Sequence, residues 1–305
     1  MKCLFIYNPK SGKGKILNYL SYIIGELTST YEELDVYESK SAQDIIETVK
    51  KSSSLYDIIV FAGGDGTFNN VACGISGCEE RPVLGYIPAG TGCDIARNLR
   101  IPRNVKKAIK IIKDGYTIQH DVGMINDSYF MYVVGIGACT GTSYTTNHET
   151  KKILGRLAYV IDGLDEFFHA PVNEVKIITE TQTIKVTVPL LLIMNTISVG
   201  GIPFNRYCHL NDGLFDVVLI NNGASKGRFN ILNYFIKGIL GLRNKRNAVT
   251  LSASEMRIEI ADDLNWCVDG EKGPNGSVTI RNLHNHLMII APKRKAKTQN
   301  KNIKK

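Results

Sequence analysis

The chain has 305 residues, of which 44% are apolar and 22% charged, and this composition is typical of a globular protein with room for two hydrophobic cores. No apolar run approaches the roughly 18–20 residues that a membrane-spanning helix needs, and the apolar stretch near Met1 is too short for a signal peptide. The seven cysteines are scattered without a CxxC pair. This favours reduced thiols in a cytoplasmic protein over disulfides or a zinc site.

The net charge of +8 is concentrated at one end of the chain. Residues 293–305 contain seven basic and no acidic side chains, so the rest of the chain carries only +1. A basic end of this kind is expected to be disordered and to be attracted to anionic lipid, and binding to nucleic acid is not expected. A second stretch, 217–254, also lacks acidic residues.

Strands and helices alternate over the first 115 residues. Short apolar, β-branched runs predict strands at 2–7, 33–37, 57–61 and 83–87, and helical patterns follow at 16–27, 41–51, about 67–77, 94–97 and 104–113. This alternation predicts an N-terminal α/β domain with a mostly parallel sheet, whose ligands bind at the carboxyl ends of the strands.

Three of these predicted strands end in polar, glycine-containing turns, which read NPKSGKGK, GGDGT and PAGTGCD. A strand that turns through glycines into a helix offers free backbone N–H groups and the positive end of a helix dipole, and these bind phosphate. An acid such as Asp65 would repel phosphate unless it works through Mg²⁺ or orients a reacting hydroxyl. The alternative is a tight turn that only requires positive φ.

After Gly115 the pattern changes to short alternating runs separated by turn residues, which is typical of an antiparallel β-sandwich. Strands are expected at 117–124, 128–134, 174–179, 183–190, 214–220, 248–251, 257–260, 278–281 and 286–290. Helices are expected near 155–168 and 225–242. The second helix is amphipathic, and it either packs on the sheet or lies on a membrane.

Seven motifs follow one another along the chain: NPKSGKGK, GGDGTFNNV, GYIPAGTGCDIAR, DVG, GRLAY, NDGLFDV and VDGE. Together they resemble the bacterial soluble diacylglycerol kinase family, lipid kinases that share the GGDGT element with sphingosine kinases and NAD kinases. The resemblance runs from about residue 2 to residue 291. It implies an ATP-binding catalytic domain at 1–116 with a return segment at 285–292, and a β-sandwich lipid-binding domain at 117–284. The basic tail at 293–305 lies outside the resemblance, and its composition predicts disorder.

The resemblance also implies which residues hold ATP. They belong to the three turns and to the end of the second strand: Asn8, Pro9, Lys10, Ser11, Gly12, Ser39, Gly63, Gly64, Asp65, Gly66, Thr67, Asn69, Asn70 and Thr91. Backbone N–H groups and small hydroxyls suit phosphates, because a bulky side chain would not fit there.

Three carboxylates, Asp65, Asp94 and Asp121, are implied as the network that positions a catalytic Mg²⁺. Alternatively, Asp94 caps its helix and Asp121 only ends a strand. Glu271 matches the general base that accepts the proton of the attacking alcohol. Without the resemblance, Asp-Gly-Glu would indicate only a hairpin turn.

A structural Mg²⁺ is implied at a second loop, through the Asp212 carboxylate and the backbone carbonyls of His209 and Leu214. Two positions depart from the family pattern, which usually has Glu where this chain has Asn70 and Asn where it has Cys93.

The leading hypothesis is therefore an ATP- and Mg²⁺-dependent lipid kinase that converts diacylglycerol to phosphatidate in phospholipid metabolism. It would be cytoplasmic and peripherally bound to the inner, anionic face of the cell membrane. Kinases of another lipid alcohol, such as a sphingoid base, and a non-catalytic nucleotide- or lipid-binding relative remain alternatives. A homodimer is an open possibility, since it is the commonest oligomer class.

Overall fold

The structure, a computed structural model, describes residues 1–90, 92–137, 172–199, 205, 208–220, 237 and 248–303. Thr91, the helix expected at 155–168 and, apart from Lys237, the helix expected at 225–242 lie outside the described residues. The chain divides into two compact units. Unit 1 comprises Met1–Val122, Leu210–Asp212 and His284–Lys305, and unit 2 comprises Gly123–His209 and Gly213–Leu283.

Unit 1 begins with an alternation of strands and helices. Its elements are β1 (Lys2–Tyr7), a 3₁₀-helix (Ser11–Tyr19), α1 (Leu20–Thr28), β2 (Glu33–Glu38), α2 (Ala42–Ser52), β3 (Ile58–Gly63), α3 (Asp65–Ser76), β4 (Val83–Pro88), α4 (Asp94–Leu99) and α5 (Val105–Asp114). Strand β3 is buried along its whole length, as expected for a central strand covered on both faces. Helix α2 begins where the Ser41 hydroxyl accepts the N–H of Asp44, and α5 begins in the same way at Asn104.

The unit 1 sheet is parallel, with the order β2-β1-β3-β4, and Ile289 of a later strand pairs in parallel with Leu84. Its register places the carboxyl ends of the strands level with one another. Tyr7 pairs with Glu38 and with Ala62, and Gly63 pairs with Pro88. The three polar turns therefore leave the same edge of the sheet.

Unit 2 is built from antiparallel strands, the first and last of which also contribute residues to unit 1. The strands that follow α5 are β5 (Thr117–Ile125), β6 (Ser128–Phe130), β7 (Val133–Gly137), β8 (Asn173–Ile178), β9 (Thr183–Val188), β10 (Leu190–Met194), β11 (Phe215–Ile220), β12 (Ala248–Ala253), β13 (Glu255–Glu259), β14 (Asn265–Val268), β15 (Glu271–Asn275) and β16 (Val278–Ile290). One sheet has the order β12-β11-β10-β7-β14-β15, and a second set pairs β16-β13-β8-β9.

Side chains from both sets of strands share one apolar core. Phe130 stacks on Phe215 with ring centroids 5.4 Å apart, and Trp266 is fully buried. The Trp266 indole donates to the Gly276 carbonyl at 2.9 Å, which satisfies the one polar group that this large side chain buries. The predicted fold class, a mostly parallel α/β domain followed by an antiparallel sandwich, is confirmed.

Two predictions about the C-terminal part are wrong. Strands expected separately at 278–281 and 286–290 belong to one strand, β16. Within it, Asn285 has φ +52° and donates its N–H to the Asp121 carboxylate at 2.7 Å. The tail expected to be disordered instead forms a helix, α6 (Lys293–Ile303), with Ala296 and Gln299 buried. Within the described residues, no helix is both long and apolar enough to cross a membrane.

Candidate functional site

A cavity of about 410 Å³ lies at the carboxyl edge of the unit 1 sheet. Eight of its lining residues are those that the sequence predicts for ATP: Asn8, Lys10, Ser11, Ser39, Gly64, Gly66, Thr67 and Asn70. The sequence prediction missed four others, Lys40, Ser41, Ala42 and Ile45, which lie at the start of α2. The only sequence signal for them was Ser41, a typical first residue before a helix.

Two helices, α2 and α3, begin at this cavity, since their first turns contribute lining residues. Unpaired N–H groups and the positive dipole end at a helix start attract anions. Lys10 and Lys40 add positive charge to the same wall. The cavity therefore has the chemistry of a polyphosphate site.

Five other predicted residues, Pro9, Gly12, Gly63, Asp65 and Asn69, do not line this cavity. The two glycines among them have packing roles. A Cβ added to Gly12, whose φ is +59°, would lie 2.0 Å from the Ala89 carbonyl oxygen, and one added to Gly63 would lie 2.3 Å from the Thr67 hydroxyl oxygen. Glycine at these positions lets the first turn approach the third, and lets β3 approach α3.

The Asp65 carboxylate joins the second and third turns. Its Oδ2 accepts the N–H of Asp94 and its Oδ1 accepts the N–H of Ile95, both at 3.0 Å. These are the first N–H groups of α4, which Cys93 does not cap through its side chain. Asp65 thus serves as the N-terminal cap of a helix 29 residues further along the chain.

The third turn is held by side chains that the sequence prediction did not assign. Cys93 has φ +55°, is 2% exposed, and donates its thiol to the Gly90 carbonyl at 3.3 Å. Burial raises the pKa of this thiol, so it stays protonated and remains a donor. Arg103 donates to the same carbonyl at 2.6 Å, and the Tyr86 hydroxyl donates to the Gly63 carbonyl at 3.1 Å.

Asp94 is buried, with 7% of its surface exposed, and pairs with the Arg97 guanidinium. Each Asp65 oxygen accepts one N–H and retains a second lone pair for another partner. Carboxylate oxygens of this kind fit a hard cation such as Mg²⁺ in their donor chemistry. A hydrogen bond from the Asp94 backbone N–H to the Asp65 carboxylate brings these two residues together.

Asp121 lies in a different environment. It is fully buried, its carboxylate accepts the Asn285 N–H, and its own N–H donates to the Leu210 carbonyl at 2.9 Å. Among the residues that the structure describes, no three His, Cys, Asp or Glu side chains form a metal-ligating group. Asp65, Asp94 and Asp121 therefore form no direct three-carboxylate cluster, and their joint role at a metal stays a prediction.

The predicted structural metal loop also stays a prediction. Asp212 belongs to unit 1, whereas His209 and Leu214 belong to unit 2. Gly213 between them has φ +75°, a conformation that glycine adopts without strain.

Glu271 lies in unit 2 as the exposed first residue of β15, paired with Val268 across a two-residue hairpin. The turn residues Asp269 and Gly270 both have positive φ, +49° and +89°, which matches the Asp-Gly turn preferred in such hairpins. The sequence alone indicates this hairpin. It does not indicate what anchors it.

The anchor is the Asp269 carboxylate, which accepts three successive backbone N–H groups. Met131 donates to Oδ2 at 2.6 Å, and Tyr132 and Val133 donate to Oδ1 at 3.0 and 2.9 Å. The Tyr132 hydroxyl also donates to the Asp269 carbonyl at 2.9 Å. Burial raises the pKa of Asp269 to about 6, although the three donors favour the ionised form.

The fold places a cavity with the chemistry of a polyphosphate site in an α/β unit, and the same chain carries an antiparallel β unit. The family model described as "Diacylglycerol kinase catalytic domain" matches residues 2–125. A diacylglycerol kinase of Bacillus subtilis is 30% identical over 300 residues, covering 95% of this chain and 96% of that protein. One from Staphylococcus epidermidis is 31% identical over 292 residues, covering 94% and 91%.

Among solved structures, a diacylglycerol kinase from Bacillus anthracis matches with a TM-score of 0.83 at 28% identity, covering 96% of this chain and 98% of that one. The chain therefore belongs to the diacylglycerol kinase family. Membership of a kinase catalytic-domain family implies kinase activity with ATP as the phosphoryl donor.

Proposed function

We propose that the protein transfers the γ-phosphate of ATP to the free hydroxyl of diacylglycerol and so forms phosphatidate. The observation that carries this proposal is the convergence of the glycine turns after β1, β3 and β4 at one sheet edge, with the cavity beside them. The full-length similarity to diacylglycerol kinases supports the choice of acceptor.

In the proposed reaction, a lone pair of the lipid hydroxyl oxygen forms the new bond to the γ-phosphorus. The bond from that phosphorus to the β,γ-bridging oxygen breaks, and ADP leaves. The hydroxyl proton passes to the Glu271 carboxylate, which acts as general base. Lys10, Lys40 and the first turns of α2 and α3 hold the phosphates by charge and N–H groups.

Asp65 and Asp94 are the residues that would hold Mg²⁺, which neutralises charge on the β- and γ-phosphates when it is bound. The Asp65 carboxylate reaches from the second turn to Asp94 in the third, where it fixes the start of α4. We further propose that the protein works peripherally at the cytoplasmic face of the membrane, where its acceptor resides.

The test is transfer of labelled γ-phosphate from ATP to a panel of lipid alcohols in mixed micelles, with and without Mg²⁺. We expect Mg²⁺-dependent label in diacylglycerol from the wild type and at least about 100-fold less from Glu271→Gln. Glu180→Gln is the matched control, because it removes an exposed carboxylate at a turn in the same unit. Label in a sphingoid base alone would reassign the acceptor, and no label in any lipid would contradict the proposal.

A further inference from the structure

Helix α6 carries a one-sided surface of positive charge. Lys293, Arg294 and Lys297 are exposed, whereas Ala296 and Gln299 are buried. At 3.6 residues per turn, the three cations fall within about 100° of the helix circumference, away from the two buried residues. Residues 293–305 include no acid, and outside the helix the Asp114 carboxylate acts on Lys293, whose pKa the Tyr116 hydroxyl and Asp114 raise.

The helix is fixed to unit 1 rather than loosely attached. The Gln299 side chain accepts the Gln119 N–H at 2.9 Å and donates to the Gln119 carbonyl at 2.7 Å, as a neighbouring strand would. At the other end of the helix, the Lys293 ammonium lies 4.9 Å from the centre of the Tyr116 ring, and the Tyr116 carbonyl accepts the Ala291 N–H. These contacts attach the helix near both ends, and Lys293 belongs to the cationic face while its ammonium lies over the Tyr116 ring.

The side chains on the cationic face of α6 favour an anionic bilayer over nucleic acid as its binding partner. Among the side chains that the structure describes in 293–299, this face has cations but no exposed apolar group for insertion. Residues 293–305 contain no aromatic ring on which a nucleic-acid base would stack, and the Tyr116 ring beside the helix already holds the Lys293 ammonium. An anionic bilayer needs neither, because it attracts fixed cations through its surface potential, worth about a fivefold change in binding for each one. The proposed lipid acceptor lies in such a bilayer.

We propose that the Lys293, Arg294 and Lys297 face of α6 is a docking surface for anionic phospholipid bilayers. This inference rests on the proposed function in one respect, which is that a kinase of a membrane lipid must contact a bilayer. Because the helix is fixed by Gln299, docking presents unit 1 to the membrane in one orientation.

The test measures co-sedimentation of the full chain with vesicles of phosphatidylcholine alone and with about 30% phosphatidylglycerol at low salt. We expect the anionic vesicles to bind the protein and 0.5 M salt to release it. Arg294→Gln/Lys297→Gln is expected to weaken binding about 25-fold, since glutamine keeps the helix and removes two cations. Lys50→Gln/Lys51→Gln, which removes two exposed lysines from α2, is the matched control and should bind within about twofold of the wild type.

Equal binding to neutral and anionic vesicles, or equal loss in both double variants, would overturn the proposal. So would preferential binding of wild type to duplex RNA over anionic vesicles. Transfer assays in uncharged detergent micelles separate this proposal from the proposed function, because both double variants should react there at the wild-type rate. If no lipid is phosphorylated in micelles but the Arg294→Gln/Lys297→Gln defect on vesicles persists, the docking surface stands and the proposed function falls.

A second measurement tests the fixed orientation. Hydrogen exchange across 293–303 is expected to be slow in the wild type and about tenfold or more faster in Gln299→Ala, which keeps every cation but loses both bonds to Gln119. Exchange at unstructured rates in the wild type would show that the cations are on a loose tail, and the fixed face would be refuted.

Discussion

Asp65 and Asp94 are connected by a hydrogen bond of 3.0 Å from the Asp94 N–H to the Asp65 carboxylate, and Ile95 makes a second such bond. The acid of the GGDGT turn therefore stabilises the helix that follows another turn. We expect Asp65→Ala to lower the free energy of unfolding by about 2 kcal/mol, because two N–H groups lose a charged acceptor. Urea denaturation measures this loss.

The control for Asp65 is Asn104→Ala, which removes the side-chain cap of α5, an oxygen that accepts the Lys107 N–H at 3.0 Å. It should cost about 1 kcal/mol of stability and leave phosphoryl transfer at the wild-type rate. Asp65→Ala is expected to lose transfer as well as stability. An unchanged unfolding free energy in Asp65→Ala would contradict the capping role.

Replacement of Gly12 tests the close approach of the first and third turns. Gly12→Ala would place a methyl group 2.0 Å from the Ala89 carbonyl oxygen at a positive φ, so the turns must separate. We expect a loss of about 2–4 kcal/mol in stability and at least tenfold weaker ATP binding by calorimetry. Gly25→Ala on α1, where a Cβ meets no atom within 4 Å, should be neutral or stabilise by about 1 kcal/mol.

The Asp269 carboxylate is expected to hold the Glu271 hairpin in place. In Asp269→Ala, three backbone N–H groups lose their acceptor, which we expect to cost about 2–3 kcal/mol in stability and at least tenfold in transfer rate, with little change in the KM for ATP. Asn126→Ala removes a single anchor, the acceptor of the Thr279 N–H at 2.9 Å, elsewhere in unit 2. A transfer rate equally low in both variants would show a general loss of folding instead.

His286 is expected to make stability depend on pH. Its Nε2 donates to the Ser76 carbonyl at 2.9 Å, and burial lowers the pKa of the imidazole in the folded protein. Below about pH 6.5, the His286 imidazole is therefore protonated in the unfolded chain but remains neutral in the folded protein. The resulting stability is present above that pH and is lost as the pH falls towards the lower folded pKa. Unfolding free energies from pH 7.5 to 5 should fall more steeply in wild type than in His286→Gln, and parallel curves would contradict this.

The sequence predicted the elements that local pattern decides. Buried β-branched runs and glycine turns located β1, β3 and β4, and parallel pairing then placed the turns at one edge. It could not predict Lys40 and Ile45 as cavity residues, because they reach the site through the packing of α2 and carry no motif. The prediction of disorder after residue 292 was wrong for a similar reason, because the helix there is stabilised by a hydrogen bond to the backbone of Gln119, which is distant in sequence.

Because Asp65 caps α4, the aspartate of the GGDGT motif has a structural role as well as its proposed role in catalysis. A descendant of this chain that no longer transferred phosphate would still need the aspartate to keep α4 folded onto its turn. The motif consequently reports an intact scaffold more directly than a working enzyme. Glu271 is an exposed side chain at the start of a strand and has no such structural role among the hydrogen bonds described above. Its loss in a relative would therefore indicate loss of catalytic activity more clearly than a change in the GGDGT motif.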